Sequence, residues 1–302
     1  MIPALVLTAG LATRLRPLSL VRAKAALPIG DQIIAQRILR RLAGHGVTDA
    51  VLNLHHLPHT ITRIVGDGTA EGVRVRYSWE MPVLGSAGGP RRALPLLGAS
   101  TFLIVNGDTL TNVDVGAVVQ AHSKSGALVT MAVVPNTEPA KYGGVVAAGD
   151  GTVTGFTRAG SSEPSFHFIG VQVAEAEAFA SLPDNMPAES VKDLYPSFIA
   201  AKRGSVRAFV TDAEFFDIGT PGDYLDTCLH FAPRPDECVV WNDVHIDPAA
   251  RLRRCVLTDG VRVPAGVSWE NVTVRRADGE LLANEYRVSD LAIAPIDGTP
   301  LA

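Results

Sequence analysis

Short apolar runs alternate with segments of helical period along the N-terminal part of the chain. The first, Ala4–Leu7, is an unbroken apolar run of strand length. Beyond a loop of small residues, Asp31 is placed to cap a helix. Its apolar residues Ile33, Ile34, Ile38, Leu39 and Leu42 recur at helical spacing, and Gly44 or Gly46 ends it. Residues 47–54 read as a second buried strand and 58–65 as a short helix. Residues 73–79 form a third strand, with Val73, Val75, Tyr77 and Trp79 on alternate positions. The order βαβαβ predicts an α/β, Rossmann-like, doubly wound sheet with helices on both faces. Ligands of such sheets lie beyond the carboxyl ends of the strands.

A second loop of small residues, 84–89, opens a helix over 90–97 that has proline at its first turn. The strand 101–105 runs into Asn106-Gly107-Asp108. A helix over 115–123, a strand over 128–134 and a hairpin over 142–156, turning at Gly149-Asp150-Gly151, follow. Then come a strand at 166–173, helices near 175–181 and 189–202, a strand at 206–210, and a helix introduced by residues 215–221 that runs to about Phe231. Pro233-Arg234-Pro235 reads as a linker, dividing the chain into residues 1–232 and 233–302. In the tail Ile246 and Leu252, then Val261 and Val267, are spaced by six, with Gly260 and Gly266 at turns. This spacing suggests a partial left-handed β-helix, too short to bury its own core, that packs on the first domain or on another copy in a homo-oligomer.

Composition narrows the class. The 302 residues carry 27 basic and 31 acidic side chains, a net charge of −4, which argues against a general nucleic-acid surface. Three cysteines without Cys-x-x-Cys spacing argue against a disulfide framework or zinc ribbon, and fit a reducing cytoplasm. No apolar run reaches membrane-spanning length, and the N-terminus lacks the pattern of a signal peptide.

Against that acidic background the first loop stands out. Arg14, Arg16, Arg22 and Lys24 all precede the first acidic residue, Asp31. Small residues let backbone N–H groups approach an oxyanion, and the cations neutralise what the backbone cannot. The loop matches neither a dinucleotide fingerprint nor a Walker loop: Pro17 interrupts the helix start and no Gly-Lys-Ser/Thr is present. Arg14 is suited to fork onto two phosphate oxygens and Lys24 to act as a mobile point charge. The bland alternative is a solvated basic loop, and Arg16 and Arg22 are taken as bystanders. Asp108 and Asp217, each at a strand end, can share one hard divalent ion such as Mg2+, or each can serve as a local cap. Asp67 and Asp114 read as caps. His55, His56 and His59 lack the carboxylate spacing of a metal site, and Trp79, Trp241 and Trp269 read as packing residues.

Five segments in order resemble the signature of the sugar-1-phosphate nucleotidyltransferases, also called nucleotide-sugar pyrophosphorylases. They are Leu7-Thr8-Ala9-Gly10 through Arg14-Leu15-Arg16-Pro17-Leu18 with Lys24 and Leu27-Pro28-Ile29; Leu84-Gly85-Ser86-Ala87-Gly88-Gly89; Val105-Asn106-Gly107-Asp108; Tyr142-Gly143-Gly144-Val145; and Phe216-Asp217-Ile218-Gly219-Thr220-Pro221. The pattern is nearest to mannose/heptose-1-phosphate guanylyltransferase-like and N-acetylmuramate-1-phosphate uridylyltransferase-like members. The resemblance implies a GT-A-like nucleotidyltransferase fold and transfer of a nucleoside monophosphate from an NTP to a sugar 1-phosphate. It assigns nucleotide binding to Leu7, Ala9, Gly10, Leu11, Ala12, Thr13, Glu80, Gly85, Ala87, Gly88 and Gly89. Sugar binding falls to Asn106, Tyr142, Gly143, Arg158 and Gly170, catalysis to Arg14 and Lys24, and magnesium to Asp108 and Asp217.

Three positions depart from the family. Ala23 stands where proline usually precedes the loop lysine, a change expected to loosen the loop. Thr157-Arg158-Ala159-Gly160 replaces Glu-Lys-Pro, with Arg158 in place of the second lysine. Phe168-Ile169-Gly170-Val171 lacks the usual asparagine. Glu80 before the glycine loop favours GTP, because a carboxylate accepts from guanine's N–H donors, while UTP and dTTP stay open. The rival readings are a regulatory homologue that binds a nucleotide-sugar without turnover, and a glycosyltransferase, which would want an Asp-x-Asp motif where Asn106-Gly107-Asp108 offers one carboxylate.

Overall fold

A computed structural model describes residues 2–298 of the chain. The described residues divide into two compact units, one reaching to residue 10 and taking in 35–215, the other taking in 11–34 and the residues from 216 onward.

The first unit holds a nine-stranded mixed sheet. Its strands are β1 (Ala4–Leu7), β2 (Asp49–Leu54), β3 (Arg74–Trp79), β4 (Thr101–Asn106), β5 (Val129–Pro135), β6 (Gly144–Ala147), β7 (Val153–Thr157), β8 (Phe166–Glu175) and β9 (Val206–Val210). The path runs β7-β6-β8-β4-β1-β2-β3, while β5 pairs with both β8 and β9. Strands β4, β1, β2 and β3 are mutually parallel, as the βαβαβ pattern predicts, and β8 enters antiparallel beside β4. Leu5, Val51, Phe102, Ile104, Met131, Val133 and Val206 are buried in one apolar cluster with Phe179 and Tyr195. Apolar side chains at alternate strand positions share a face, so one sheet face collects them. Strand β8 shifts register between Phe168 and Gln172, and within that bulge Gly170 takes a φ of 77°.

Two local expectations change. Asp31 sits at the turn of a small hairpin, Pro28–Ile29 with Gln32–Ile33, where Gly30 has a φ of 64°, and the helix begins three residues later, at Ile34. The small-residue loop 84–89 is mostly helix, since Gly85–Leu97 is continuous. Asp114 does cap its helix, accepting from the Ala117 N–H at 3.0 Å, and Asp67 accepts from the Thr69 N–H at 3.0 Å.

In the second unit, parallel pairs join residues 239 to 256, 245 to 262 and 251 to 268, a constant offset of 17. These are coils of a short β-helix, closed by the antiparallel strands Val272–Arg276, Tyr286–Val288 and Leu291–Pro295. An antiparallel pair ends a solenoid without leaving a stackable coil face exposed. Cys238, Cys255, Leu257, Val261, Val263, Val274 and Ile293 form its core. The helix Pro221–Phe231 belongs to this unit too, so the compact units do not divide at Pro233. The physical reason is burial: Tyr224 is fully buried and its hydroxyl accepts from Trp241 Nε1 at 2.9 Å, beyond the Pro-Arg-Pro segment. Among the described residues no helix is long and apolar enough to cross a membrane.

Candidate active site

At the carboxyl ends of β1, β2 and β4 the first unit opens a cleft of about 310 Å³. Leu7, Ala9, Gly10, Glu80, Gly85, Asn106 and Asp108, all anticipated from sequence, line it together with Asn53, Val83, Ser86 and Glu189, which were not. Its position is the one a parallel sheet dictates. Asn53 had a legible signal, a polar side chain inside an otherwise apolar strand. Glu189 had none, because it arrives from more than a hundred residues away and meets Ser86 only in the folded chain, where the Ser86 hydroxyl donates to it at 2.7 Å.

Two buried side chains tie the loops of this cleft together. Asn53 Oδ1 accepts from the Thr8 N–H at 2.6 Å, and Asn53 Nδ2 donates to Glu80 Oε1 at 2.7 Å. Glu80 Oε2 accepts from the Leu84 N–H at 2.9 Å. The first loop, strand β2 and the start of the helix Gly85–Leu97 are thus one hydrogen-bonded chain. Glu80 is 4% exposed and each of its oxygens already serves a protein donor. Ala87, Gly88 and Gly89 are buried inside the helix and do not line the cleft. Gly89 is there for close approach: a Cβ on it would stand 2.8 Å from Glu80 Oε1 and 3.0 Å from Asn53 Nδ2.

The anticipated sugar side falls into three places. Gly170 lies beside Asn106, whose Cβ would be 3.0 Å from a Cβ on the glycine. Tyr142 stacks on His167, ring centroids 4.1 Å apart, and His167 on Phe215 at 4.8 Å, making an aromatic wall next to Gly143. Arg158 is exposed and lines a separate, larger groove of about 1140 Å³ with Thr157, Lys192 and Pro196; Ser86 and Glu189 border both cavities.

His167 was not anticipated. Burial, and then the Lys141 ammonium, push its pKa down to about 4, and its Nδ1 has no hydrogen-bond partner among the described residues. The folded chain therefore holds this ring neutral while the unfolded chain protonates it near 6.5. Between about pH 6.5 and 4 the unfolded state binds the extra proton, so stability falls as pH is lowered through that window. Urea melts are expected to lose stability between pH 7 and pH 4.5 more steeply in the wild type than in His167→Phe; parallel losses would remove His167 as the cause.

The second unit carries Leu11, Ala12, Thr13, Arg14, Lys24 and Asp217. Ala12 adopts a left-handed conformation (φ 48°, ψ 47°), its carbonyl accepting from the Ser19 hydroxyl at 2.8 Å, and this turns the chain into Thr13–Leu15. Arg14 is exposed, and its guanidinium passes over Gly219: Nη1 and Nη2 lie 3.5 and 3.6 Å from where a Cβ on that glycine would be. Asp217 ends a strand two residues earlier. It is not the cap of the helix that follows, which carries a capping box between Thr220 and Asp223. Lys24 is half-buried and opens the turn Lys24–Ala26. Arg22, taken from sequence as a bystander, is 8% exposed and chelates Asp259 with Nε and Nη2 at 2.7 and 2.6 Å. Of the three histidines, His55 places its Nδ1 2.9 Å from the Glu80 carbonyl.

Residues 3–232 match the Nucleotidyl transferase family, and the chain belongs to it, among the sugar-1-phosphate nucleotidyltransferases. It is 27% identical over 294 residues to a mannose-1-phosphate guanylyltransferase of Mycobacterium tuberculosis, covering 88% of this chain and 82% of that one. It is 42% identical over 122 residues to an N-acetylmuramate alpha-1-phosphate uridylyltransferase of Neisseria meningitidis serogroup B, covering 40% of this chain and 52% of that one. The crystal structure of HddC from Yersinia pseudotuberculosis complexed with GMP-PN is similar, with a TM-score of 0.67, 25% identity, and coverage of 76% of this chain and all of that one.

Proposed function

We propose that the protein transfers GMP from GTP to a sugar 1-phosphate, releasing pyrophosphate, as a cytoplasmic step that supplies a nucleotide-sugar for cell-surface glycans. The observation that carries this reading is the cleft itself, where the first loop, the glycine loop and Asp108 share one wall set. GTP is supported by the guanylyltransferase relative and by the GMP-PN-bound neighbour. Glu80 supports it less than its sequence position suggested. A carboxylate oxygen accepts two hydrogen bonds and each here already takes one, so Glu80 acts first as the strut of the loop. UTP is the second reading, favoured by the uridylyltransferase relative.

The chemistry asks for no general base. A phosphate monoester is largely ionised near neutral pH, its second pKa being about 6, so its oxygen attacks the α-phosphorus directly while the bond to pyrophosphate breaks. Arg14 forks onto the departing pyrophosphate, and Lys24 holds the two reacting phosphates together against their mutual repulsion. The Asn53–Glu80 strut keeps the loop amides aimed before substrate arrives. Asp108 and Asp217 offer the all-oxygen donors that magnesium prefers. Magnesium takes one or two carboxylates and completes its shell with phosphate oxygens and water, which is what either aspartate would ask of it. Bound magnesium supplies neutralisation of charge on the phosphate oxygens. On the sugar side, Asn106, Gly170, the Tyr142 wall and Arg158 are the proposed contacts.

Pyrophosphate release measured for each of four triphosphates against a panel of sugar 1-phosphates, with magnesium, tests this. GTP with one sugar 1-phosphate is expected to give the highest kcat/KM. Release with UTP alone would transfer the assignment to the second reading, and binding of a nucleotide-sugar without release from any pair would sink the catalytic one.

A further inference from the structure

The segment around Lys24 is held at two points, one from the C-terminal coils and one from the helix Pro221–Phe231. Arg22, two residues before the lysine, is the first. Its guanidinium chelates Asp259, donates to Asn242 Oδ1 at 3.1 Å and to the Ala26 carbonyl at 3.4 Å, and stands 5.3 Å from the centroid of the Trp241 ring. Asp259 is itself oriented by the Asn242 N–H at 3.1 Å. The second point is the Pro28 carbonyl, four residues after the lysine, which accepts from the Tyr224 hydroxyl at 2.6 Å; that hydroxyl accepts in turn from Trp241 Nε1 at 2.9 Å. Trp241 therefore serves both grips, one through its ring face and one through its N–H.

Local backbone does not explain why such a device is present, but the residue between Arg22 and Lys24 does. Ala23 has φ −55° and ψ 146°, and Arg22 has φ −136° and ψ 149°. This is the geometry a proline at 23 would impose on itself and on its neighbour. Alanine adopts it without enforcing it, so the shape that proline would fix covalently must be held by contacts. Arg22, nearly excluded from water and bidentate on Asp259, sits where a restraint could take the place of the missing ring.

We propose that Arg22 is a positioning residue for Lys24, and that Asp259, Asn242 and Trp241 of the C-terminal coils are thereby part of the machinery that sets the lysine. The tail is a brace for the catalytic loop as well as a structural appendage. This rests on the catalytic reading of Lys24 given above, and it adds the claim that residues more than two hundred positions away decide where that lysine stands.

The test is a double-mutant cycle on the full chain. Asp259→Asn, which keeps the shape and removes the charge, is expected to lower kcat/KM for pyrophosphate release about tenfold. The same change in a Lys24→Met background is expected to cost less than twofold, because the group being positioned is gone. A merely structural role would lower both backgrounds by the same factor, and that outcome, or wild-type kcat/KM in Asp259→Asn, overturns the proposal. Should Asp259→Asn not fold, Asn242→Ala removes one acceptor only and enters the same cycle. Hydrogen exchange of the amides of residues 24–27 gives a readout independent of turnover. It is expected to quicken at least fivefold in the variant, and unchanged exchange overturns the brace. Were the wild type inactive with every substrate pair, the catalytic reading would fall, while the exchange experiment would still decide whether the coils hold this loop.

Discussion

Asp108→Asn is expected to cut magnesium-dependent pyrophosphate release about a thousandfold without disturbing the fold. Neutralising a phosphoryl oxygen through a bound metal is worth several kcal/mol of transition-state stabilisation, and each 1.4 kcal/mol is tenfold in rate. Asparagine preserves the shape of the half-buried carboxylate, including the oxygen that accepts from the Thr109 hydroxyl at 3.3 Å, so the thermal midpoint is expected to stay within a few degrees of wild type. Asp217→Asn is expected to behave alike, and its helix is safe because the cap belongs to Thr220 and Asp223. The informative measurement is the double variant. If the two carboxylates act as one unit in the reaction, losing the second costs little once the first has gone, so the double variant should be slower than either single one by less than tenfold. A product of the two single losses would mean that they act in separate places.

Lys24→Met is expected to lower kcat by two to three orders of magnitude with a smaller change in KM for the triphosphate. Methionine keeps much of the length and apolar stem of the side chain and removes the ammonium, with its charge and its N–H donors. Attack of one phosphate on another brings two anions together, so a cation between them contributes most when they are closest, in the transition state. The split between kcat and KM is the check. A rise in KM alone would make Lys24 an ordinary anchor for substrate, and unchanged kinetics would take it out of the site.

Much of the first unit was readable one residue at a time. The runs Ala4–Leu7, Asp49–Leu54 and Thr101–Asn106 are buried strands because they are short, apolar and bounded by turn residues, and their parallel pairing follows from the helices between them. Gly10, Gly85, Asn106 and Asp108 were locatable because strand ends are where a parallel sheet opens. The hairpin at Asp31 was not read, because Asp before an apolar run signals a helix start and a tight turn equally well, and Gly30 places a turn there. Glu189 and His167 were invisible for another reason: nothing in their own neighbourhoods carries the information that they meet Ser86 and Tyr142.

The division between the two sources of information is sharpest at the first loop. Sequence alone determined that a cationic, small-residue loop follows a buried strand, since charge, spacing and strand length are local properties of the chain. It also pointed to the family, because five short motifs resemble that family's signature in order. What only the tertiary structure decided is which of the four cations are solvated. Arg14 and Arg16 remain exposed, Lys24 is half-buried, and Arg22 is withdrawn from water onto Asp259. That choice depends on a carboxylate 237 residues away. A buried charge is stable only where the fold brings it a partner, and no local pattern can name that partner in advance.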